Sequence, residues 1–346
     1  MYPEMTIEQL QNIDASKRIL YIDLRSEGEY ESSTIPGSLN LPLLNNKERE
    51  IVGTLYVQKD VEMAKSQGIS FVSQKLPDLY KNITTQTRNY DHVVLFCERG
   101  GFRSQSLFVL LKSLHINVWK LHGGYKAYRA FINTQLPQIF EELTPIVLSG
   151  NTGCGKTQLL QELRRRGMDV LDLEACANHR GSLLGSVGLG ATNSQKTFES
   201  LVYDELKTRK TNYVFMEAES RRIGSVILPP YIYKSIQNAV AINITSPLES
   251  RVDRILKEYT GNTDSDIIEA LEKLRKYLSN ERVDKFIEEV RKNNYPPVIR
   301  ELIENYYDHK YTKGDYTVVS QFDHVDTKKT AEQILMWKQS YYPQEE

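Results

Sequence analysis

A chain of 346 residues with 40% hydrophobic and 26% charged residues exceeds one ordinary hydrophobic core and predicts a water-soluble protein of two domains. Its formal net charge of −1 excludes a global positive field that would draw it onto nucleic acid, so any RNA site must be a local patch. The apolar runs are short and residues 1–20 show no basic, apolar, small-residue series, which predicts neither a signal peptide nor a membrane span, and a cytoplasmic location. The three cysteines, Cys97, Cys154 and Cys176, form no disulfide framework and no zinc spacing, so a reduced compartment and no bound metal among them are expected.

Arg18-Ile19-Leu20-Tyr21-Ile22-Asp23 reads as a buried strand, and residues 23–30 turn out of it into a short helix. In the run Ile35–Pro42, Pro36 and Gly37 set a turn that leads to another short extended piece. Residues 45–82 exceed a minimal connection; their helical stretch around Val61 and Ala64 is expected either to pack on the sheet or to line a pocket. Val93-Val94-Leu95-Phe96 is then an apolar strand ending at Cys97. It opens into Glu98-Arg99-Gly100-Gly101-Phe102-Arg103-Ser104 and an apolar helix over residues 105–114. Backbone N–H groups converging at that helix start form an anion cradle, Gly100 and Gly101 let the chain close around it, and Arg99 and Arg103 add positive charge. Such surroundings favour thiolate over thiol and make Cys97 the expected reactive residue; a buried strand-end cysteine followed by a turn is the plainer alternative.

Taken in order, Asp23-Leu24-Arg25 with Glu29-Tyr30, the Ile35–Pro42 run, the cysteine loop and His122-Gly123-Gly124-Tyr125-Lys126-Ala127-Tyr128 resemble a rhodanese domain. The resemblance implies an α/β fold with a central parallel sheet and a cysteine that carries sulfur or selenium as a persulfide-like adduct. One departure is the six-residue step from Cys97 to Arg103, which also fits the C-x5-R phosphate clamp of cysteine phosphatases.

Residues 136–144 read as a linker between a rhodanese-like domain at 1–135 and a P-loop domain at 145–260, with a mostly helical part at 261–346 packed on the latter. Pro145-Ile146-Val147-Leu148-Ser149 is a buried strand followed by Gly150-Asn151-Thr152-Gly153-Cys154-Gly155-Lys156-Thr157 and a helix over 158–166. This is the P-loop pattern in its strand-loop-helix context: backbone N–H groups wrap a phosphate, Lys156 neutralises it, and Thr157 is placed to hold Mg²⁺. Further strands are expected at 168–174, 212–217 and 239–244, which predicts a second parallel sheet covered by helices. Asp172 and Glu217 end two of these strands; His179 and Arg180 open a glycine-rich loop, with a helix cap expected at Ser194. Ser220, Arg221 and Arg222 follow Glu217 at the sheet edge, where diphosphate binding would be a natural use. Three helices are expected from Ser265 to Tyr307. They read as a cap on the sheet, or as tRNA contacts through Lys276, Arg291, Lys292, Tyr306 and Tyr307.

A rhodanese domain followed by a P-loop domain bearing His179-Arg180-Gly181-Ser182, Ser194-Gln195 with Phe198-Glu199, and Glu219-Ser220-Arg221-Arg222-Ile223-Gly224 resembles the tRNA 2-selenouridine synthase family along nearly the whole chain. The resemblance implies a tRNA-modifying transferase acting on wobble 2-thiouridine, with S-geranylation from geranyl diphosphate and selenium transfer from selenophosphate. It implies Cys97 for selenium transfer, a diphosphate in the P-loop, and no permanent cofactor. A rhodanese-type sulfurtransferase or phosphatase fused to an ATP-dependent small-molecule kinase, and a non-catalytic nucleotide-sensing adaptor, are the competing readings.

Overall fold

Val93, Val94, Leu95 and Phe96 are all buried, as a strand covered on both faces of a parallel sheet must be. The computed structural model describes residues 3–58, 60–182, 184–259, 264–310 and 316–343. Two units, Met1–Gln135 and Leu136–Glu346, divide the chain. The first runs α1 (Ile7–Gln11), β1 (Ile19–Asp23), α2 (Glu27–Ser32), β2 (Leu39–Asn40), α3 (Asn46–Val57), α4 (Val61–Asn89), β3 (His92–Phe96), α5 (Phe102–Ser113), β4 (Trp119–Lys120) and the start of α6 (Gly124–Glu142). Its sheet is parallel, in the order β2-β1-β3-β4. Because the strands are parallel, β1 and β3 deliver Asp23 and Cys97 to the same carboxyl edge, where open α/β sheets bind ligands. Leu79 and Ile83 of α4 join Leu20, Ile22 and Leu95 in the core, whereas α3 buries no side chain fully.

The second unit runs β5 (Thr144–Ser149), α7 (Lys156–Arg165), β6 (Val170–Leu171), α8 (Leu173–Ala177), α9 (Gln195–Leu206), β7 (Tyr213–Glu217), the hairpin of β8 (Arg222–Ile223) and β9 (Val226–Ile227), α10 (Pro230–Gln237), β10 (Val240–Thr245) and α11 (Leu248–Tyr259). There follow α12 (Asp264–Glu272), α13 (Asn280–Arg291), α14 (Tyr295–Leu302), the one-turn α15 (Asp308–Lys310), β11 (Thr317–Asp323) and α16 (Thr327–Tyr341). Its main sheet is parallel in the order β11-β10-β5-β7-β6, so the fold class is α/β throughout: a rhodanese-like sheet, then a P-loop sheet with added helices.

Three expectations need correction. The supposed linker is helical through Glu142: buried Leu136, Ile139 and Phe140 supply the apolar stripe that carries α6 past Pro137. The strand expected at 168–174 is only Val170–Leu171, because Asp172 leaves the sheet to cap α8, its Oδ1 accepting from Ala175 N at 2.8 Å. The C-terminal part is not helical alone; β11 pairs with β10 as an edge strand of the P-loop sheet, and Ala331 and Ile334 of α16 enter the core of that sheet. Ser194 caps α9 as expected, accepting from Thr197 N at 3.2 Å.

Candidate active sites

Cys97 leaves β3 with 3% exposure and its Sγ lies 3.1 Å from Ser104 Oγ. Glycine at the N-cap of α5 offers no side chain to the first-turn N–H groups, which leaves them for an anion. Backbone bonds fasten the loop from behind: Tyr125 N donates to Cys97 O and Lys126 N to Glu98 O, both at 2.9 Å. Gly124 makes this approach possible, since its φ is +61° and a Cβ there would lie 2.2 Å from Cys97 O. Lys120 Nζ adds a bond to Gly100 O at 2.8 Å.

Buried Arg25 ties the Asp23-Leu24-Arg25 motif to the same loop. It bonds Asp23 through Nε and Nη2, reaches Glu98 Oε2 through Nη1 at 2.9 Å, and lies 4.1 Å over the Tyr125 ring. Arg103 does not stand open as a phosphate clamp: both its terminal nitrogens donate to Glu29, at 2.6 and 3.1 Å. Burial works to raise the Glu29 carboxyl, but the Arg103 hydrogen bond and charge hold it below its ordinary range. The C-x5-R spacing is thus used for an internal ion pair. Cys97 opens on a cleft of about 870 Å³ whose wall combines exposed Arg99 and Phe102 with Val52, Tyr56 and Val57 of α3. The long connection therefore lines the cysteine pocket.

In the second unit the P-loop joins β5 to α7. Gly150, Gly153 and Gly155 have φ of +144°, +78° and +88°, and a Cβ on Gly155 would lie 2.4 Å from the His324 ring. The first turn of α7 carries no side-chain cap, and Lys156 Nζ donates to Gly150 O at 2.8 Å. Two arginines of α11 hold the loop's carbonyls: Arg251 Nε donates to Thr152 O at 2.9 Å, and Arg254 Nη1 to Gly153 O at 3.2 Å. Arg251 is itself fixed by Asp308, at 2.6 and 2.9 Å. His324 Nδ1 lies 2.7 Å from Cys154 O, a carbonyl that can only accept, so Nδ1 carries the proton and Nε2 faces Thr327 Oγ1. Burial lowers the His324 pKa, favouring this neutral form.

Opposite Lys156 sits a carboxylate group drawn from separate segments. Glu174 Oε2 is 3.4 Å from Thr157 Oγ1, Glu174 and Glu219 share a hydrogen bond, and Glu217 Oε2 accepts from Leu173 N at 3.3 Å. Gly181 approaches closely enough that a Cβ would lie 2.5 Å from Glu174 Oε1. Burial first, then repulsion from Asp172 and Glu174, pushes Glu217 well above the ordinary carboxylate range; burial and Glu219 do the same to Glu174. The cleft between loop and carboxylates is about 340 Å³, lined also by Gln158, Gln161, Arg180, Ser182 and Glu258.

The raised Glu217 makes stability depend on pH. The fold keeps a proton that the unfolded chain releases near pH 4.3, so this contribution is intact below about that pH and declines as pH rises toward the folded pKa. Glu217→Gln should therefore unfold at a higher temperature than the parent at about pH 8 and converge with it below about pH 4. Each kcal/mol of relief reads as about 2–4 °C in calorimetry.

Residues 143–344 match the family model described as the tRNA 2-selenouridine synthase AAA domain, and residues 6–131 match the rhodanese-like domain model. The chain belongs to the tRNA 2-selenouridine synthase family. Curated relatives agree: the tRNA 2-selenouridine synthase of Nitrosomonas eutropha is 39% identical over 243 residues, 69% of this chain and 62% of that protein. Those of Nitrosomonas europaea and Pseudomonas fluorescens Pf-5 are 35% and 33% identical, over 75% of this chain and 68% and 76% of theirs. The chain thus spans about three fifths of the first of these relatives.

Within this fold the residues singled out in the sequence divide. Glu98, Arg99, Gly101, Phe102 and Arg103 line the Cys97 cleft, and Thr152, Gly153, Gly155, Lys156, Thr157 and Arg180 line the P-loop cleft. Gly100 and Ser104 support the first; Gly150 shapes the second, Asn151 is exposed, and Cys154 belongs to the core beneath. Asp172 is a helix cap. His179 is buried against Gly185 and Gly224, outside the cleft lining. Arg221 and Arg222 are exposed at the β8–β9 hairpin, because Ser220 Oγ, 2.8 Å from Arg222 O, turns the chain away; neither lines the cleft. Tyr306 and Tyr307 are 6% and 7% exposed in the helical core, so they cannot stack on an RNA base, and Tyr307 instead faces the P-loop cleft. Lys276 and Arg291 are exposed, while Lys292 pairs with Glu288 at 2.7 Å. Glu174, Glu219, Arg251, Arg254 and His324 were not marked as site residues. Their sequence signals were Glu219 within the Glu219–Gly224 motif, Glu174 at the end of the expected 168–174 strand, and the pair Arg251 and Arg254 one turn apart after β10; nothing pointed to His324.

Proposed function

We propose that this chain converts wobble 2-thiouridine of tRNA to 2-selenouridine in the cytoplasm, by S-geranylation from geranyl diphosphate followed by selenium transfer from selenophosphate. The observation that carries this reading is a pair of distinct anion clefts in a chain of this family, one headed by Cys97 and the other by Lys156. At the P-loop, the thiouridine sulfur forms a bond to C1 of the geranyl chain while the C–O bond to diphosphate breaks. Diphosphate leaves with the electron pair, its charge held by Lys156, the α7 N–H groups and Arg180. The selenium of selenophosphate then bonds to C2 of the base and geranylthiolate departs with its electron pair, a better leaving group than an unalkylated sulfur; water cleaves the Se–P bond, releasing phosphate and leaving selenium on C2. Cys97 serves this second transfer.

No organic cofactor is needed by this scheme. Among the described residues no set of three or more His, Cys, Asp or Glu forms a metal cage, but Mg²⁺ ordinarily takes one or two carboxylates and completes its shell with phosphates and water. Thr157 and Glu174, 3.4 Å apart beside the loop, fit that pattern and would hold it there, where it would neutralise leaving-group charge. No helix among the described residues is long and apolar enough to cross a membrane.

The test is reconstitution. Wobble-thiolated tRNA incubated with the protein, geranyl diphosphate and selenophosphate should yield, after digestion, a nucleoside with the mass of 2-selenouridine. Unchanged tRNA together with Lys156-dependent ATP turnover would overturn the reading in favour of a kinase fusion.

A further inference from the structure

Beside the P-loop cleft lies a second cavity of about 120 Å³, enclosed by α11 and the helices of 264–302. Leu184, Ile255 and Tyr259 wall both spaces, so the apolar chamber adjoins the phosphate cradle directly. Its remaining wall is hydrocarbon: Leu271, Val290, Val298 and Leu302 are each at most 5% exposed. Among the described lining residues two carry hydroxyls, and both are engaged, Tyr259 Oη with Leu184 O at 3.2 Å and Tyr295 Oη with Asp264 Oδ1 at 2.7 Å. Such a wall offers nothing to a nucleobase, whose edges need hydrogen-bond partners, and nothing to water, which needs about three.

A well-packed helical core closes such a space, since unfilled volume forfeits dispersion contacts. Its size suits a branched hydrocarbon fragment: a protein cavity of about 150 Å³ lined by aliphatic side chains stays dry and takes up benzene. One five-carbon unit would fill the chamber. A second would lie across the Leu184–Ile255–Tyr259 wall, between the chamber and the phosphates.

We propose that this chamber receives the hydrocarbon tail of the diphosphate ester whose head group sits in the P-loop, and that its volume selects a tail of two isoprene units. The helices of 264–302 are then a substrate-specificity element. The inference rests on the reading that the P-loop binds a diphosphate, and it adds the residues that recognise the tail.

Equilibrium binding to the full chain tests it, with inorganic diphosphate, dimethylallyl diphosphate, geranyl diphosphate and farnesyl diphosphate as probes. Affinity should rise at least about tenfold from inorganic diphosphate to the geranyl ester, as burial of apolar carbon requires, and should not rise again for the farnesyl ester. Leu271→Trp, which fills the chamber, should lose that tenfold gain while binding inorganic diphosphate as the parent does, which also reports an intact fold. Val290→Ala, which enlarges it, should move the preference toward the farnesyl ester. Equal affinity for all four probes, or a geranyl gain untouched by both variants, overturns the chamber while leaving the diphosphate reading in place. Failure of inorganic diphosphate to bind the parent overturns both.

Discussion

With Cys97→Ser, tRNA incubated with both donors should accumulate the S-geranylated nucleoside and carry no selenium above background, a loss of more than about 10³-fold. Losses of that size follow removal of a nucleophile that acts as part of a unit. Serine is the informative replacement because the side chain at this position is almost fully buried 3.1 Å from Ser104 Oγ, and a hydroxyl keeps a hydrogen-bonding group there. The Arg25–Glu98 side-chain pair and the Tyr125 N–Cys97 O backbone bond that shape the loop do not involve the sulfur, so the cradle should persist. Mass spectrometry of digested tRNA separates the outcomes. Selenouridine at the parent rate would remove Cys97 from the reaction and restore its reading as a buried strand-end residue. Unimpaired biological function of the variant, with no nucleoside changed by either protein, would favour the nucleotide-sensing adaptor.

What could be read from the sequence was what is contiguous in it. A P-loop is a strand, a glycine turn and a helix start within one short segment, and the cysteine loop has the same form, so composition and order sufficed for both. The carboxylates facing Lys156 were hidden because Glu174, in the first turn of α8 after β6, and Glu219, two residues past β7, meet only when β6 and β7 pair. Likewise β11 was unreadable: its residues are mostly exposed, so no apolar run announces it, and its partner β10 lies far back in the chain. His324, whose ring fits against Gly155, follows from that pairing. Arg221 and Arg222 show the reverse error. Their position after a strand suggested the ligand edge, but a side-chain hydrogen bond at Ser220 turns them out to solvent.

Lys156→Ala should reverse the pattern expected of the cysteine variant. Lys156 is 9% exposed, donates to Gly150 O and sits at the N-terminus of α7, where it would meet the leaving diphosphate. Removing one preorganised donor at developing charge costs about 10²–10³-fold in rate, so geranylation should fall by that factor and selenium incorporation with it. The fold should tolerate the change, since Arg251 and Arg254 hold the loop carbonyls independently of the lysine. Supplying tRNA that already carries the geranyl group then distinguishes the two steps. Lys156→Ala should convert it to selenouridine at close to the parent rate, whereas Cys97→Ser should leave it unchanged. If Lys156→Ala fails on geranylated tRNA as well, the P-loop takes part in selenium transfer and the division of labour between the two clefts is wrong. If geranylation survives the substitution, the diphosphate is held elsewhere, and the cradle built by Gly150, Gly153 and Gly155 needs a different ligand.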